Sequence, residues 1–223
     1  MKKTGLLLIF IMVAVFIGFG QNTPKTEEFK DGDYSRVKLT GLSDKSVETK
    51  LNAELKKYAN GKIITAKNGS TTFHLEEIEI EYLKKYHFTY RTASGDFQQI
   101  KKKNGTLDSM MLNYKTSYSC KNLITGNDIN FFDIFKKDAH PGMAALVKGK
   151  IKKDLFAFKC GKHEFTTEEI NKILEYPLIN EEGIRFQIEG CNDSKNCEST
   201  MEIFFLYEDL KQYLDPKGII YKQ

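Results

Sequence analysis

Residues Phe73–Tyr90 read FHLEEIEIEYLKKYHFTY. Phe73 and Leu75, then Ile78, Ile80 and Tyr82, alternate with charged residues, with one slip near Glu76-Glu77. Strict alternation of apolar and polar residues is the signature of a half-buried strand, because successive side chains point to opposite faces. His87–Arg91 continues in β-rich composition, and Ser94-Gly95-Asp96 is read as a turn. Phe97–Lys102 and Met110–Ser119 extend the pattern, with Asn104-Gly105 as the hairpin turn between them. Together these strands predict an antiparallel sheet with one solvated face.

Upstream, residues 21–33 are polar, carry Pro24, and are expected to be a flexible leader. Arg36–Leu42 alternates as a short strand. Ser43 is the expected N-cap of a helix running to about Asn60, with Val47, Leu51, Leu55 and Tyr58 on one face and Asn60-Gly61 ending it. Downstream, Thr125-Gly126-Asn127-Asp128 is a turn, and Phe131, Phe132 and Phe135 enter a short helix. Gly142–Phe156 is a predicted helix offering Met143, Leu146, Ile151 and Leu155 to a core. Thr167-Glu168-Glu169 opens another, closed by Pro177. Gly183–Ile188 and Thr200–Leu206 are partner strands, followed by a helix over Tyr207–Leu214. One helix before a run of strands and several after it predicts an α+β fold, an antiparallel β-sheet packed against several helices.

The chain opens with Lys2-Lys3, an apolar run over Leu6–Phe19, and Gly18-Phe19-Gly20 before polar Gln21. This is the layout of a cleavable export signal over residues 1–20, too short for a stable membrane span. Loss of Lys2 and Lys3 lowers the formal net charge from +4 to +2. Near-neutrality argues against a nucleic-acid partner, which calls for a strongly basic surface.

All four cysteines lie beyond the signal. An even count in an oxidising compartment reads as two disulfides, and four cysteines allow three pairings. Locality favours Cys191 with Cys197, at the two ends of the loop CNDSKNC, leaving Cys120 with Cys160. Closed in that way, Asn192, Asp193, Ser194, Lys195 and Asn196 form a pre-ordered loop, the candidate partner-binding element.

Signals for catalysis are weak. Cys160-x2-His163 with Cys191 and Cys197 has the residue types of a zinc site, but its second spacing is wide and export favours oxidation. A Cys120 or Cys160 nucleophile with His74, His87, His140 or His163 is set aside because paired disulfides use every cysteine. Glu76, Glu77, Glu79 and Glu81 are read as the solvated edge of a strand rather than a glycosidase pair. Lys101–Lys103 and Lys148–Lys153 are read as solvated faces. No catalytic residue, metal or cofactor is expected.

Four anchors in the second half carry a resemblance: Gly126-Asn127-Asp128-Ile129, Phe132-Asp133-Ile134-Phe135, Gly183-Ile184-Arg185-Phe186, and Tyr207–Leu214 (YEDLKQYL). They resemble the extracytoplasmic domain of RsiV-type anti-sigma factors, which also occurs beside peptidoglycan deacetylase domains. Residues 34–122 are read as an N-terminal helix-plus-sheet segment, within which Arg36–Ala59 looks like the helix-bearing segment that precedes the domain, and residues 123–223 as a C-terminal α+β segment that resembles the domain itself. The resemblance implies an exported, periplasmic or extracellular, non-enzymatic binding domain. Its implied partners are lysozyme, another cell-wall enzyme, or peptidoglycan fragments. A small wall hydrolase and an accessory subunit of an envelope complex are the alternatives. The tip CNDSKNC departs from the aromatic, alanine/glycine-rich tip of many relatives, so a different partner is expected if that tip recognises one.

Overall fold

The computed structural model of the chain describes residues 23–67, 70–101, 107–154, 164–188 and 201–222. Strands β1 (Lys25–Asp31) and β2 (Tyr34–Thr40) form an antiparallel ribbon. The expected leader therefore contains a strand. Six of the seven β1 residues are exposed, so no apolar alternation marks it, and pairing with β2 orders it instead.

Helix α1 spans Lys45–Leu55 and buries Val47, Leu51 and Leu55. Its cap is Asp44 rather than Ser43: the Asp44 carboxylate accepts from Ser46 N at 2.8 Å and Val47 N at 3.3 Å. The helix stops well short of Asn60. Arg36 Nη1 donates to Lys56 O at 2.7 Å and Tyr58 O at 3.3 Å, supplying donors where the chain leaves the helix. Asn60 instead exchanges backbone hydrogen bonds with Ser35 and leads into a strand that the sequence reading missed.

That strand, β3 (Gly61–Lys67), joins β4 (Ser70–Leu83), β5 (His87–Lys101) and β6 (Leu107–Asn122) in one antiparallel sheet of order β3-β4-β5-β6. Ser94-Gly95-Asp96 is not a turn. It lies within β5, with Gly95 opposite Leu75 on one side and Tyr114 on the other. The register against β6 slips just beyond it, between Asp96 and Phe97, where β6 carries one extra residue, Leu112. The expected Asn104-Gly105 turn lies outside the described residues.

Both faces of this sheet are covered near the β4–β5 turn. Ile78, Phe88 and Tyr90 pack with Val37, Leu39, Val47, Leu51 and Leu55, joining the sheet to β2 and α1. Thr89 and Cys120, paired across β5 and β6, point the other way; Cys120 belongs to a second core built around the C-terminal elements. The slip in β4 falls at Glu81, between Ile80 opposite Tyr90 and Tyr82 opposite Thr89. This bulge lets the consecutive residues Glu81 and Tyr82 both meet the C-terminal layer, while Leu83 returns to the α1 side.

The C-terminal layer begins after a turn in which Gly126 sits at φ 69°, a conformation that favours glycine. Helix α2 (Phe131–Ile134) opens with a capping box between Asn130 and Asp133. Helix α3 (His140–Asp154) buries Met143, Val147 and Ile151 at successive four-residue steps. Helix α4 (Thr167–Glu175) has Thr166, not Thr167, as its cap, in a second capping box with Glu169. Strands β7 (Leu178–Ile179), β8 (Gly183–Ile188) and β9 (Met201–Leu206) form a three-stranded antiparallel sheet. Helix α5 (Tyr207–Leu210) is shorter than expected because Leu214 makes a β-bridge with Phe135. The architecture is α+β, as the element order predicted.

Candidate binding site

Of the expected disulfide cysteines, Cys160, Cys191 and Cys197 lie outside the described residues, as do His163 and the whole candidate loop Asn192–Asn196. Cys120 is a free thiol at the end of β6, 4% exposed. Thr89 Oγ1 approaches its sulfur at 3.2 Å and donates to Ile179 O at 2.7 Å. Burial pushes the thiol pKa up to about 11, against the Thr89 and Ile179 hydrogen bonds, so it is a neutral packing group rather than a nucleophile. Among the described residues, no group of three or more His, Cys, Asp or Glu is placed to hold a metal ion.

β3 runs beside β4 only as far as Glu76, so Glu77, Glu79 and Glu81 lie where β4 has β5 alone as a neighbour, and Glu79 is exposed there. Glu77 and Glu79 face Arg91 at 3.7 and 2.8 Å. Glu76 is 3.4 Å from His74, which also bonds Asp96 at 2.8 Å. Glu81 pairs with Arg185 on β8, and Arg185 reaches Glu202 on β9 at 3.1 Å. A second polar seam runs through Lys121, 5% exposed, whose ammonium lies 2.7 Å from both Glu54 of α1 and Asp128 of the downstream turn. Burial works against that charge, but the hydrogen bonds Lys121 donates to Asp128 and Glu54 leave its pKa above the ordinary lysine value. In the basic run of α3, Lys150 is not solvated: it donates to Phe204 O at 2.6 Å and lies 5.0 Å from the Phe205 ring centre. Of these groups, Glu81, Lys121 and Lys150 join layers, while the pairs of Arg91 and His74 lie within the β4–β5 sheet.

A different arrangement occupies the turn between β4 and β5. Lys84 N donates to His87 O at 2.9 Å and closes the turn, and Leu123 N donates to Tyr86 O at 2.8 Å, fixing it to the downstream half. The turn, with Tyr207, Ile220 and Lys222, lines a cavity of about 370 Å³. Its walls are tyrosines and its rim is basic. Lys84 Nζ lies 5.6 Å from the Tyr82 ring centre, and Lys85 Nζ 5.1 Å from that of Tyr86. Tyr207 is held by its hydroxyl, which donates to Asn180 O at 2.8 Å.

His87 lines the same cavity and is 7% exposed. Its ring centre is 5.3 Å from that of Tyr82, and neither ring nitrogen has a hydrogen-bond partner. Burial, helped by the Lys84 charge, pushes its pKa down to about 4, so the ring is neutral near pH 7. Among the described residues, Lys84, Lys85 and Lys222 form no ion pair with a carboxylate; Glu181 is the acid whose field reaches Tyr82. Sequence reading misses this cavity because nothing local ties Lys84-Lys85-Tyr86 to Tyr207, Ile220 and Lys222. Its signal was the two lysines flanked by tyrosines where the alternation lapses.

No family model matches this sequence, and no curated protein does so either. Among solved structures, the fold is similar to the crystal structure of a DUF3298 family member from Bacteroides fragilis. That match has a TM-score of 0.54 and 13% identity, covering 90% of this chain and 97% of that one. A DUF3298 family protein from Pseudomonas aeruginosa matches with a TM-score of 0.47 and 8% identity, covering 87% and 94%. The first likeness is one of architecture: the chain shares an α+β fold with a DUF3298 domain.

Proposed function

We propose that this chain is an exported, non-enzymatic binding domain that acts at or near the bacterial cell wall, with lysozyme, another wall enzyme or a wall fragment as its partner. One observation carries the reading. The residues that resemble RsiV-type extracytoplasmic domains occupy the core of a DUF3298-like fold: Ile129, Ile134, Phe135, Ile184, Phe186, Leu210 and Leu214 are all buried. Two of the motif glycines have local reasons as well. Gly126 takes the left-handed turn, and a side chain at Gly183 would strike the Phe205 carbonyl on the neighbouring strand. The chemistry fits a binding role, since the clustered acids are engaged by Arg91, Arg185 and His74.

The test is calorimetric titration of residues 21–223 with a c-type lysozyme, with inhibition of wall lysis read on the same samples. Binding with inhibition supports lysozyme as the partner. No heat and no inhibition from folded protein removes it and leaves wall fragments and other wall enzymes to be tested. Hydrolysis of purified peptidoglycan by the chain would overturn the non-enzymatic reading.

A further inference from the structure

We propose that the cavity at the β4–β5 turn binds a sugar ring carrying a carboxylate or a phosphate. This assignment rests on the reading of the chain as an exported binding domain and adds a ligand class to it. The volume, about 370 Å³, falls within the range of small-molecule sites, roughly 300–1,000 Å³.

Three features define the ligand. His87 supplies the first: a neutral imidazole has one N–H donor and one acceptor, and neither is used by the protein. Leaving both unmet in a buried site is costly, and a hydroxyl group, which donates and accepts, matches them. Tyr82 and Tyr207 supply the second, since aromatic walls with polar tips suit a ring with an apolar face and a hydroxylated edge. The third is the rim. Lys84, Lys85 and Lys222 are exposed and place positive charge at the mouth, where a carboxylate or phosphate keeps part of its hydration. Charge belongs at the mouth and hydroxyls within, because the interior offers the unpaired neutral ring rather than a counter-ion. Both His87 nitrogens are shielded from solvent, with the Tyr82 ring packed beside them, so a ligand reaches them by displacing that ring. Tyr82 is therefore a second reporter.

The experiment is side-chain NMR on residues 21–223 labelled at histidine and tyrosine. N-acetylmuramic acid, glucuronic acid and glucose 6-phosphate are the probes; N-acetylglucosamine and inorganic phosphate are the controls. The expected result is movement of the His87 and Tyr82 resonances with a Kd of about 1 mM for the acidic sugars, and a Kd at least tenfold higher for both controls. The Lys84→Glu/Lys85→Glu variant alters only exposed lysines and is expected to weaken the acidic sugars by roughly tenfold with little effect on the neutral one. Preference between the carboxylated and phosphorylated probes identifies the source of the charge. Phosphate binding as well as the sugars do, N-acetylglucosamine binding equally, or His87 staying still while all probes are added would each overturn the assignment. Lysozyme titration of the same samples separates the two readings. Lysozyme binding with a silent cavity removes the sugar site alone, and a responsive cavity without lysozyme binding removes lysozyme alone.

Discussion

The two cores of this protein are built by different means. The downstream core is joined by aromatic packing: Phe131 stacks on Phe135 at 4.6 Å, and Phe186 lies 6.3 Å from Phe135 and 6.2 Å from Phe205. The upstream core under α1 is smaller and is stitched by polar side chains. Asn52 both accepts from Leu39 N at 2.7 Å and donates to Leu39 O at 2.8 Å, as a peptide group in a strand would. Glu48 accepts from Leu42 N at 2.9 Å, and Asn60 from Ile78 N at 2.5 Å. Where one short helix cannot supply enough apolar area, side-chain hydrogen bonds to backbone fix its position. Lys121 spans the two regions, bonded to one acid from each.

Large-to-small changes test the contrast most strongly. Phe186→Ala removes a ring that is 0% exposed and is expected to cost about 4 kcal/mol, with Leu51→Ala in the upstream core costing about 3 kcal/mol, both read by urea denaturation. Equal losses would mean the upstream core is as tightly packed as the downstream one.

Acid separates two histidines of the central sheet by sign. The His87 pKa is about 4 in the folded chain, against 6.5 when exposed. Between those values the unfolded chain takes up a proton that the folded chain refuses, so stability falls with pH across this window by roughly 3 kcal/mol in full. A His87→Gln variant is expected to lose less stability over the same range, measured by urea midpoints. His74 behaves oppositely: its hydrogen bond to Asp96, against a small burial effect and aided by Glu76, raises its pKa. Its stabilisation is present below pH 6.5 and is lost as pH rises through the raised value, so His74→Gln is expected to flatten the alkaline side of the profile.

Lys121→Met should cost about 2 kcal/mol, since Glu54 and Asp128 keep partial access to water. It should also split the unfolding transition, visible as different midpoints for near-ultraviolet and far-ultraviolet circular dichroism; a single sharp transition would show that the cores unfold together without it. Asn52→Ala is the mildest change, at about 1 kcal/mol, and is expected to raise hydrogen exchange at Leu39 N while leaving the downstream amides untouched.

Much of the downstream half was legible in the sequence. Apolar spacing at Met143 and Ile151, the stop at Pro177 and the pair GIRFQI/TMEIFFL each follow from local pattern. The α1 face was legible for the same reason. What escaped was structure whose signal is not apolar. Strand β1 has a single apolar residue, the exposed Phe29, and is ordered by its neighbour, β3 opens at Gly61 without a clear alternation, and Ser94-Gly95-Asp96 has turn composition inside a strand flanked on both sides. The binding cavity escaped because it needs Tyr207, Ile220 and Lys222, more than a hundred positions from the turn they meet, and no local pattern reports that distance.

The bulge at Glu81 makes β4 one residue longer than its pairing with β5 requires. A strand ordinarily tolerates no single deletion, since every residue beyond the cut changes sides. Here one position is exempt. Removing Glu81 leaves Ile80 opposite Tyr90, Tyr82 opposite Thr89 and Leu83 opposite Phe88, so both layers keep their side chains and only the carboxylate beside Arg185 is lost. Deleting Glu79 instead exchanges the two faces of the strand on one side of the cut. The spare residue is thus a place where β4 is free to change length, and in this chain that freedom delivers a single negative charge to the opposite layer.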